Sequence, residues 1–215
     1  MKLHRFTFNP LQENTYLAWC ETTLDCVIFD PGNYDRAENE QLKEFIENHS
    51  LKPIAILGTH AHIDHIFGNY WVMNHYLIPY YLHPDDVKMI QRSETMAALW
   101  NLNYTPSPEP TNWLNHGDVI PVGNSKLHVR FVPGHAPGHV IFHNENDQWA
   151  IVGDTVFQGS IGRTDLPGGN HEQLLQKIQE EIFTLPLNTV LYPGHGPETT
   201  VQHEKLHNPF FQSAQ

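Results

Sequence analysis

The sequence predicts an α+β fold arranged as a four-layer αββα sandwich, in which two β-sheets pack together and helices cover their outer faces. Strand-like segments occur in two batches along the chain, and helical segments accompany each batch. The chain has 215 residues, of which 40% are hydrophobic and 17% charged, enough for a large core. No linker or internal repeat divides it, so we expect a single domain over residues 1–215.

The first batch comprises three short strands, a helix and a buried strand. The strands are KLHRFTF (2–8), NTYLAWC (14–20) and LDCVIFD (24–30), separated by turn-forming Asn, Pro and Asp. A helix should follow, with its apolar face formed by Ala37, Leu42, Phe45 and Ile46. The run PIAILG (53–58) is continuously apolar, which is typical of a strand buried on both faces.

The second batch follows two helices that we expect over residues 66–77 and 85–103. Its strands are SKLHVRFV (125–132), HVIFH (139–143), QWAIVG (148–153) and TVLYP (189–193). Asn170 lies three residues before Gln173, the spacing of a capping box, and predicts the start of another helix. The face of that helix that packs on the sheet should contain Leu174, Leu175, Ile178 and Ile182. A short helix should end the chain.

Composition and charge exclude several classes of function. The net charge of −12 disfavours binding to nucleic acid or to an anionic membrane, because both require a basic surface. No signal sequence or membrane-spanning segment is recognisable, so we expect a cytoplasmic monomer that acts on a small molecule. The cysteines, Cys20 and Cys26, could face each other across a hairpin, but we expect free, partly buried thiols in a reducing compartment.

Histidine dominates the polar chemistry of the chain. There are 16 histidines, more than the 12 lysines and arginines together. Four potential metal ligands, His60, His62, Asp64 and His65, occur within six residues directly after the apolar run 53–58. A turn so rich in imidazole and carboxylate at the end of a buried strand is best explained by a bound cation.

Three more ligand-type residues follow strands in the same way. His135, Asp154 and His195 each come directly after a glycine. Glycine permits the tight turns that would let these strand ends converge on one edge of the sandwich. With the cluster at 60–65 they give five histidines, two aspartates and no cysteine, a set that suits two adjacent divalent ions. Zinc is the first expectation, and the same ligands accept iron or manganese.

Such a pair of ions points to hydrolysis. Two cations roughly 3.5–4 Å apart can share a carboxylate and a water whose pKa falls toward about 7, and they polarise a carbonyl group. No serine or cysteine nucleophile is then required. The sequence contains neither a phosphate-binding P-loop nor a dinucleotide-binding fingerprint.

These motifs together resemble the metallo-β-lactamase fold superfamily over nearly the whole chain. The Asp30 turn, HAHIDH at 60–65, His135, Asp154 and His195 occur in the family's order. The resemblance implies one metal ion held by His60, His62 and His135. It implies a second ion held by Asp64, His65 and His195, with Asp154 bridging the two.

Within the superfamily the chain looks most like compact members of the glyoxalase II (hydroxyacylglutathione hydrolase) family, which lack its C-terminal helical glutathione-binding domain. The supporting runs are GDTVFQGSIGRTDLPGG (153–169) and YPGHGPETTVQHEKLHNPF (192–210). The resemblance implies hydrolysis of a glutathione thioester such as S-lactoylglutathione by a metal-bridging hydroxide that Asp64 and Asp154 orient. Arg163 and Asp165 replace a Lys and a Tyr that bind glutathione in larger members, and Arg163 could still pair with a glutathione carboxylate.

Other functions remain open at this stage. Persulfide dioxygenases share the fold and the GRTD loop, and would use one iron on His60, His135 and Asp154. Another ester or thioester could be the substrate of a hydrolase. A metal-binding protein without catalysis would bind ions and turn nothing over, and a nuclease is disfavoured by the acidic charge.

Overall fold

The computed structural model describes residues 1–212 and contains two mixed six-stranded sheets. The first sheet has the order β1 (Lys2–Phe8), β2 (Glu13–Trp19), β3 (Asp25–Phe29), β4 (Lys52–Leu57), β5 (Tyr80–Leu82) and β6 (Asn112–Trp113). Strands β1 to β3 are antiparallel, whereas β3 to β6 are parallel.

The second sheet is built from the later part of the chain. Its strands are β7 (Val119–Val122), β8 (Ser125–Phe131), β9 (Val140–Asn144) and β10 (Trp149–Gly153). After a small hairpin of β11 (Val156–Phe157) and β12 (Ser160–Ile161) come β13 (Val190–Pro193) and β14 (Thr199–Thr200). The sheet order is β14-β13-β10-β9-β8-β7, and β10 and β13 run parallel.

Alternation along the strands creates the layers. In β3, Val27 and Phe29 join the core between the two sheets, while Cys26 and Ile28 face the opposite side. In β10, Trp149 and Ile151 belong to the same inter-sheet core, whereas Ala150 and Val152 pack toward helices. Successive side chains of a strand point to opposite faces, so each sheet buries both. The predicted αββα sandwich is confirmed.

Helices form the two outer layers. They are α1 (Arg36–Asn48), α2 (Asn69–Tyr76), α3 (Val87–Leu99), α4 (His171–Lys177) and α5 (Val201–His207). Leu42 and Ile46 of α1 are buried against the first sheet, as the apolar pattern predicts. Leu174 of α4 is buried against the second sheet, and Ile178 and Ile182 continue this face in a wide π-type turn over Ile178–Ile182.

Two predicted helices are shorter than expected. The helix expected over 66–77 begins only at Asn69, because the backbone N–H of Gly68 bonds to the Pro31 carbonyl (2.7 Å) and holds the preceding turn in place. The helix expected over 85–103 is α3, preceded by a single 3₁₀ turn over Pro84–Asp86. The sequence interpretation also missed the short strands β5, β6, β7, β11, β12 and β14, because two to four residues carry too little periodicity to identify a strand.

The fold bears on the state of the cysteines and on membrane-spanning helices. Cys20 and Cys26 are both buried and free, as expected. Within residues 1–212, no helix combines the length and the apolar character that crossing a bilayer would require.

Candidate metal centre

The predicted ligands lie where strands of both sheets end. Residues 60–65 follow β4 of the first sheet, while Asp154 and His195 follow β10 and β13 of the second. Backbone hydrogen bonds join these ends: Gly194 N–H donates to the Gly153 carbonyl (2.9 Å), and Asn14 N–H donates to the Gly194 carbonyl (2.7 Å). The strand ends therefore converge on one edge of the sandwich.

The first group of ligand atoms comes from three histidines. His60 Nε2 lies 3.0 Å from His62 Nδ1. The His135 ring, from the loop between β8 and β9, joins them, and the ligand atoms of the three lie within 4.8 Å of one another. Three converging imidazoles suit a divalent ion such as zinc.

The second group combines a carboxylate with two histidines. Oδ2 of Asp64 lies 3.1 Å from His195 Nε2 and 3.7 Å from His65 Nε2. The ligand atoms of this group also lie within 4.8 Å of one another.

Asp154 contacts both groups. Its Oδ1 lies 3.5 Å from His65 Nε2, and its Oδ2 lies 3.6 Å from both His135 Nε2 and His195 Nε2. A carboxylate in this position can bridge two ions. The structure thus brings together all the predicted side chains: His60, His62, Asp64, His65, His135, Asp154 and His195.

The polar atoms that face the centre fit a metal. The buried Nε2 atoms of His65 and His135 and Oδ1 of Asp154 have no hydrogen-bond partner within the part of the chain that the structure describes. Burying such atoms without a partner is costly, and coordination would satisfy them.

The protonation states of His60, His62 and Asp154 suit metal binding, whereas the pKa values of His65 and His195 are raised, so a bound ion would displace protons there. Burial lowers the pKa of His62 to about 3 and that of His60 well below its usual value, and neighbouring histidines lower both further. Burial opposes the charged form of His65, but Asp154 and Asp64 raise its pKa well above the ordinary value. Burial acts to raise the pKa of Asp154, yet His65 and the other histidines lower it. The carboxylate is therefore ionised, and His60 and His62 are neutral with free lone pairs.

Hydrogen bonds to Nδ1, on the side of each ring that faces away from the centre, orient three of the imidazole rings. His135 Nδ1 lies 2.7 Å from the Arg163 carbonyl, which leaves Nε2 facing the centre. His65 Nδ1 lies 3.1 Å from Asp30 Oδ2, and His60 Nδ1 lies 3.0 Å from Thr59 Oγ1. Such outer hydrogen bonds fix ring orientation and raise ligand basicity.

Asp30 supports the site and is not a free ligand. It accepts hydrogen bonds from the Thr59 N–H (2.7 Å) and hydroxyl (2.6 Å), as well as facing His65. It has a left-handed backbone conformation (φ 45°) at the turn after β3. The sequence interpretation identified this turn as a family motif without assigning a contact.

Other buried groups surround the centre, and sequence reasoning missed Glu13 and Asp86. Glu13 is fully buried, and its Oε1 lies 3.8 Å from His65 Nδ1. Asp86 accepts hydrogen bonds from the backbone of two ligand-bearing loops. His139, which the sequence interpretation left out of the ligand set, accepts a hydrogen bond from Asp154 N–H at Nε2 (3.1 Å). Glu13 and Asp86 stand in no recognisable motif, so no sequence signal identified them, whereas His139 ends the run GHAPGH (134–139) and was expected to support the ligands without binding the metal.

Glycine is required where the strand ends meet. A side chain at Gly194 would overlap the Asp154 carboxylate and the His65 ring. Gly153 has a φ of 49°, a left-handed conformation that places Asp154 at the edge. The glycines before Asp154 and His195 thus have a steric cause.

A cavity of about 520 Å³ opens onto the ligands. Arg163 lines it, as its predicted role in substrate binding requires. Its guanidinium, however, forms a bidentate ion pair with Asp165 (2.8 Å for each bond). The Arg163 group closest to the centre is the carbonyl that accepts from His135.

Comparison with known proteins gives the family. The model of the metallo-beta-lactamase superfamily matches residues 8–195. The chain belongs to this superfamily of metallo-hydrolases. The "Probable metallo-hydrolase YqgX" of Bacillus subtilis is 38% identical and aligns with 98% of this chain and 97% of its own length. The "Hydroxyacylglutathione hydrolase GloC" of Haemophilus influenzae is 30% identical over 99% of both chains.

Solved metallo-β-lactamase-fold structures agree with the architecture. BLEG-1, described as a B3 metallo-beta-lactamase, has a TM-score of 0.90 and 34% identity, with 99% of this chain and all (100%) of that chain covered. TTHA1623 in a di-iron-bound form has a TM-score of 0.86 and 37% identity, with 96% and 99% covered. Members of the superfamily bind one or two metal ions.

Proposed function

We propose that this metallo-hydrolase cleaves a glutathione thioester of the S-lactoylglutathione type and releases a 2-hydroxy acid and glutathione. The observation that carries the proposal is the position of Asp154 between two complete ligand groups beside a substrate-sized cavity. Resemblance to the hydroxyacylglutathione hydrolase GloC supports the choice of thioester.

His60, His62 and His135 would hold one divalent ion, and Asp64, His65 and His195 the other, with Asp154 bridging. We expect zinc, with iron or manganese as alternatives. When bound, such a pair supplies a water of lowered pKa and a Lewis acid for the carbonyl oxygen.

The residues of the chain would hold the reactants in place. The ionised Asp64 and Asp154 face the cavity, so they would accept hydrogen bonds from the attacking water and orient it. The water oxygen bonds to the acyl carbon and the carbon–sulfur bond breaks; one proton of the water ends on the leaving thiolate and the other passes to solvent, so that the products are a carboxylate and a thiol. A thiol with a pKa near 8.5 leaves without help from a general acid. Arg163 would bind a glutathione carboxylate if it exchanges Asp165 for the substrate.

The test compares metal-loaded wild type with an Asp64→Ala, His65→Ala double variant. We expect wild type to hydrolyse S-lactoylglutathione, which is monitored by the loss of thioester absorbance. The double variant should lose at least 100-fold in activity, about the effect of removing one key electrostatic group. His203→Ala, an exposed histidine on α5, is the matched control and should retain activity. Equal rates for wild type and the double variant would exclude the hydrolase.

The main alternative is a persulfide dioxygenase with one iron on His60, His135 and Asp154. The complete second group of ligands favours the dinuclear hydrolase. Oxygen uptake with glutathione persulfide, together with one iron per chain by elemental analysis, would instead support the dioxygenase. A β-lactam and a simple ester in the same substrate panel would reveal a hydrolase of another class.

A further inference from the structure

The walls of the cavity above the ligands are largely apolar. One wall comes from α3 and the residue that follows it, with Met89, Met96 and Trp100. The facing wall comes from the segment 157–167, with Phe157, Leu166 and Pro167. Apart from the indole N–H of Trp100, these side chains offer no strong hydrogen-bonding group to a polar substrate, but they can bury a hydrocarbon chain.

The mouth of the cavity is also apolar and is held in a fixed place. Leu11 and Trp100 line the cavity while remaining 41% and 46% exposed. Leu11 N–H donates to Asn9 Oδ1 (2.9 Å), and the Asn9 amide donates to the Asp64 carbonyl (3.1 Å). The loop that carries Leu11 is therefore attached to the ligand turn, and an apolar ligand would cover both exposed side chains.

Positive charge at the cavity is sparse. Arg163 is paired with Asp165, whereas Arg92 of α3 lines the cavity with no carboxylate within 4 Å among residues 1–212. Glutathione carries two carboxylates and an ammonium group. A single unpaired guanidinium can match one of those carboxylates and leaves the apolar walls for another part of the substrate.

We infer that the preferred substrates are thioesters with an apolar acyl chain, which lies between α3 and the segment 157–167. Arg92 binds a carboxylate of the thiol part at the rim. This inference rests on the proposed thioesterase function and extends its substrate class, because it expects apolar acyl chains to be cleaved faster than the short, hydroxylated lactoyl group.

Kinetic measurements on thioesters of increasing acyl length test whether the cavity binds an apolar acyl chain. Glutathione thioesters with straight acyl chains of increasing length should show kcat/KM rising about three- to fourfold per methylene until the cavity is filled. Met96→Gln should lower that gain per methylene, whereas Leu99→Gln, on the same helix, 72% exposed and outside the cavity, should keep it. Thioester turnover without a dependence on chain length would overturn the inference while leaving the proposed hydrolase intact. No turnover of any thioester would overturn both.

Two substrates that differ in the charge of the thiol part test the role of Arg92. We compare kcat/KM for a glutathione thioester with kcat/KM for the neutral N-acetylcysteamine thioester of the same acyl group. The ratio of the first to the second should fall about tenfold in Arg92→Gln, because this variant loses one charged hydrogen bond. Lys88→Gln, on the same helix outside the cavity, should keep the wild-type ratio. An unchanged ratio in Arg92→Gln would exclude this contact.

Binding to metal-free protein gives a readout independent of turnover. S-methyl-, S-butyl- and S-hexylglutathione are stable thioethers, and calorimetry should give affinities that rise with chain length by the same three- to fourfold per methylene. Met96→Gln should weaken this dependence relative to Leu99→Gln. Equal affinities across the series, or no binding of S-hexylglutathione, would contradict the apolar pocket.

Discussion

At the scale of single residues, Asp86 connects two parts of the candidate centre that the sequence keeps far apart. Its Oδ2 accepts from the N–H of Ala61 (2.9 Å), between two ligand histidines, and its Oδ1 accepts from the N–H of Gly138 (2.5 Å), in the loop after His135. Burial raises the pKa of the Asp86 carboxyl to about 6, although the two N–H donors act to lower it. One buried carboxylate thus fixes both loops.

We expect Asp86→Asn to loosen the centre, because an amide oxygen can replace only one acceptor and its NH₂ group then faces the other N–H. The loss should destabilise the metal-free protein by about 1–3 kcal/mol in urea unfolding. Zinc affinity, measured by competition with a chelator, should fall about tenfold or more, as for other groups that support metal ligands. Asp85→Asn, the exposed neighbour, is the control, and equal zinc affinities in the two variants would contradict this role.

At the scale of elements, the start of α4 connects the outer helix layer to the loop that carries His135. The Asn170 side chain accepts a hydrogen bond from Gln173 N–H (3.0 Å), as the capping pattern in the sequence predicts. The Asn170 backbone N–H in turn donates to the Gly134 carbonyl (2.7 Å), one residue before His135. The cap therefore stabilises the helix and holds the chain beside this ligand.

We expect Asn170→Ala to destabilise the protein by about 1 kcal/mol in denaturant unfolding, because it removes the side-chain acceptor at the helix N-terminus. Asn170→Asp should keep stability close to that of wild type, since a carboxylate accepts the same bond and interacts well with the helix dipole. Equal destabilisation by both substitutions would show that the cap does not act in this way.

At the scale of the whole molecule, the candidate centre joins the two sheets. His60, His62, Asp64 and His65 follow the first sheet, while His135, Asp154 and His195 belong to loops of the second. An ion bound to ligands from both sheets would stabilise their packing, because it binds only the folded chain.

We expect removal of metal by a chelator to lower Tm in a single cooperative transition. At free zinc about 100 times Kd, the gain of about 2.7 kcal/mol corresponds to roughly 5–10 °C for a chain of this size. The Asp64→Ala, His65→Ala variant should gain much less from zinc. An identical Tm for wild type with and without zinc, measured by differential scanning calorimetry, would rule out a metal site that bridges the sheets.

Much of the fold and of the centre could be predicted because the signals are local. The burial of segment 53–58 and of the strands within 2–30 can be predicted from the pattern of apolar residues in each segment. The Asn170 cap can be recognised from residues 170–173 alone. The cluster at 60–65 is crowded enough to indicate a metal by itself. His135, Asp154 and His195 could be added because each follows a strand and a glycine, and strand ends in such a fold meet at one edge.

Tertiary structure alone decided the contacts that depend on pairs of distant residues. Asp86 and Glu13 are ordinary acidic residues in the sequence, and only the packing of α3 and β2 against the ligand loops buries them. The position of Arg92 at the cavity and the apolar wall opposite the segment 157–167 likewise follow from how α3 lies over the centre. The sequence by itself determined which residues can bind metal and form the layers, because composition and periodicity are properties of short segments. Which groups support the centre and which face the substrate depended on distances between segments, which exist only in the folded chain.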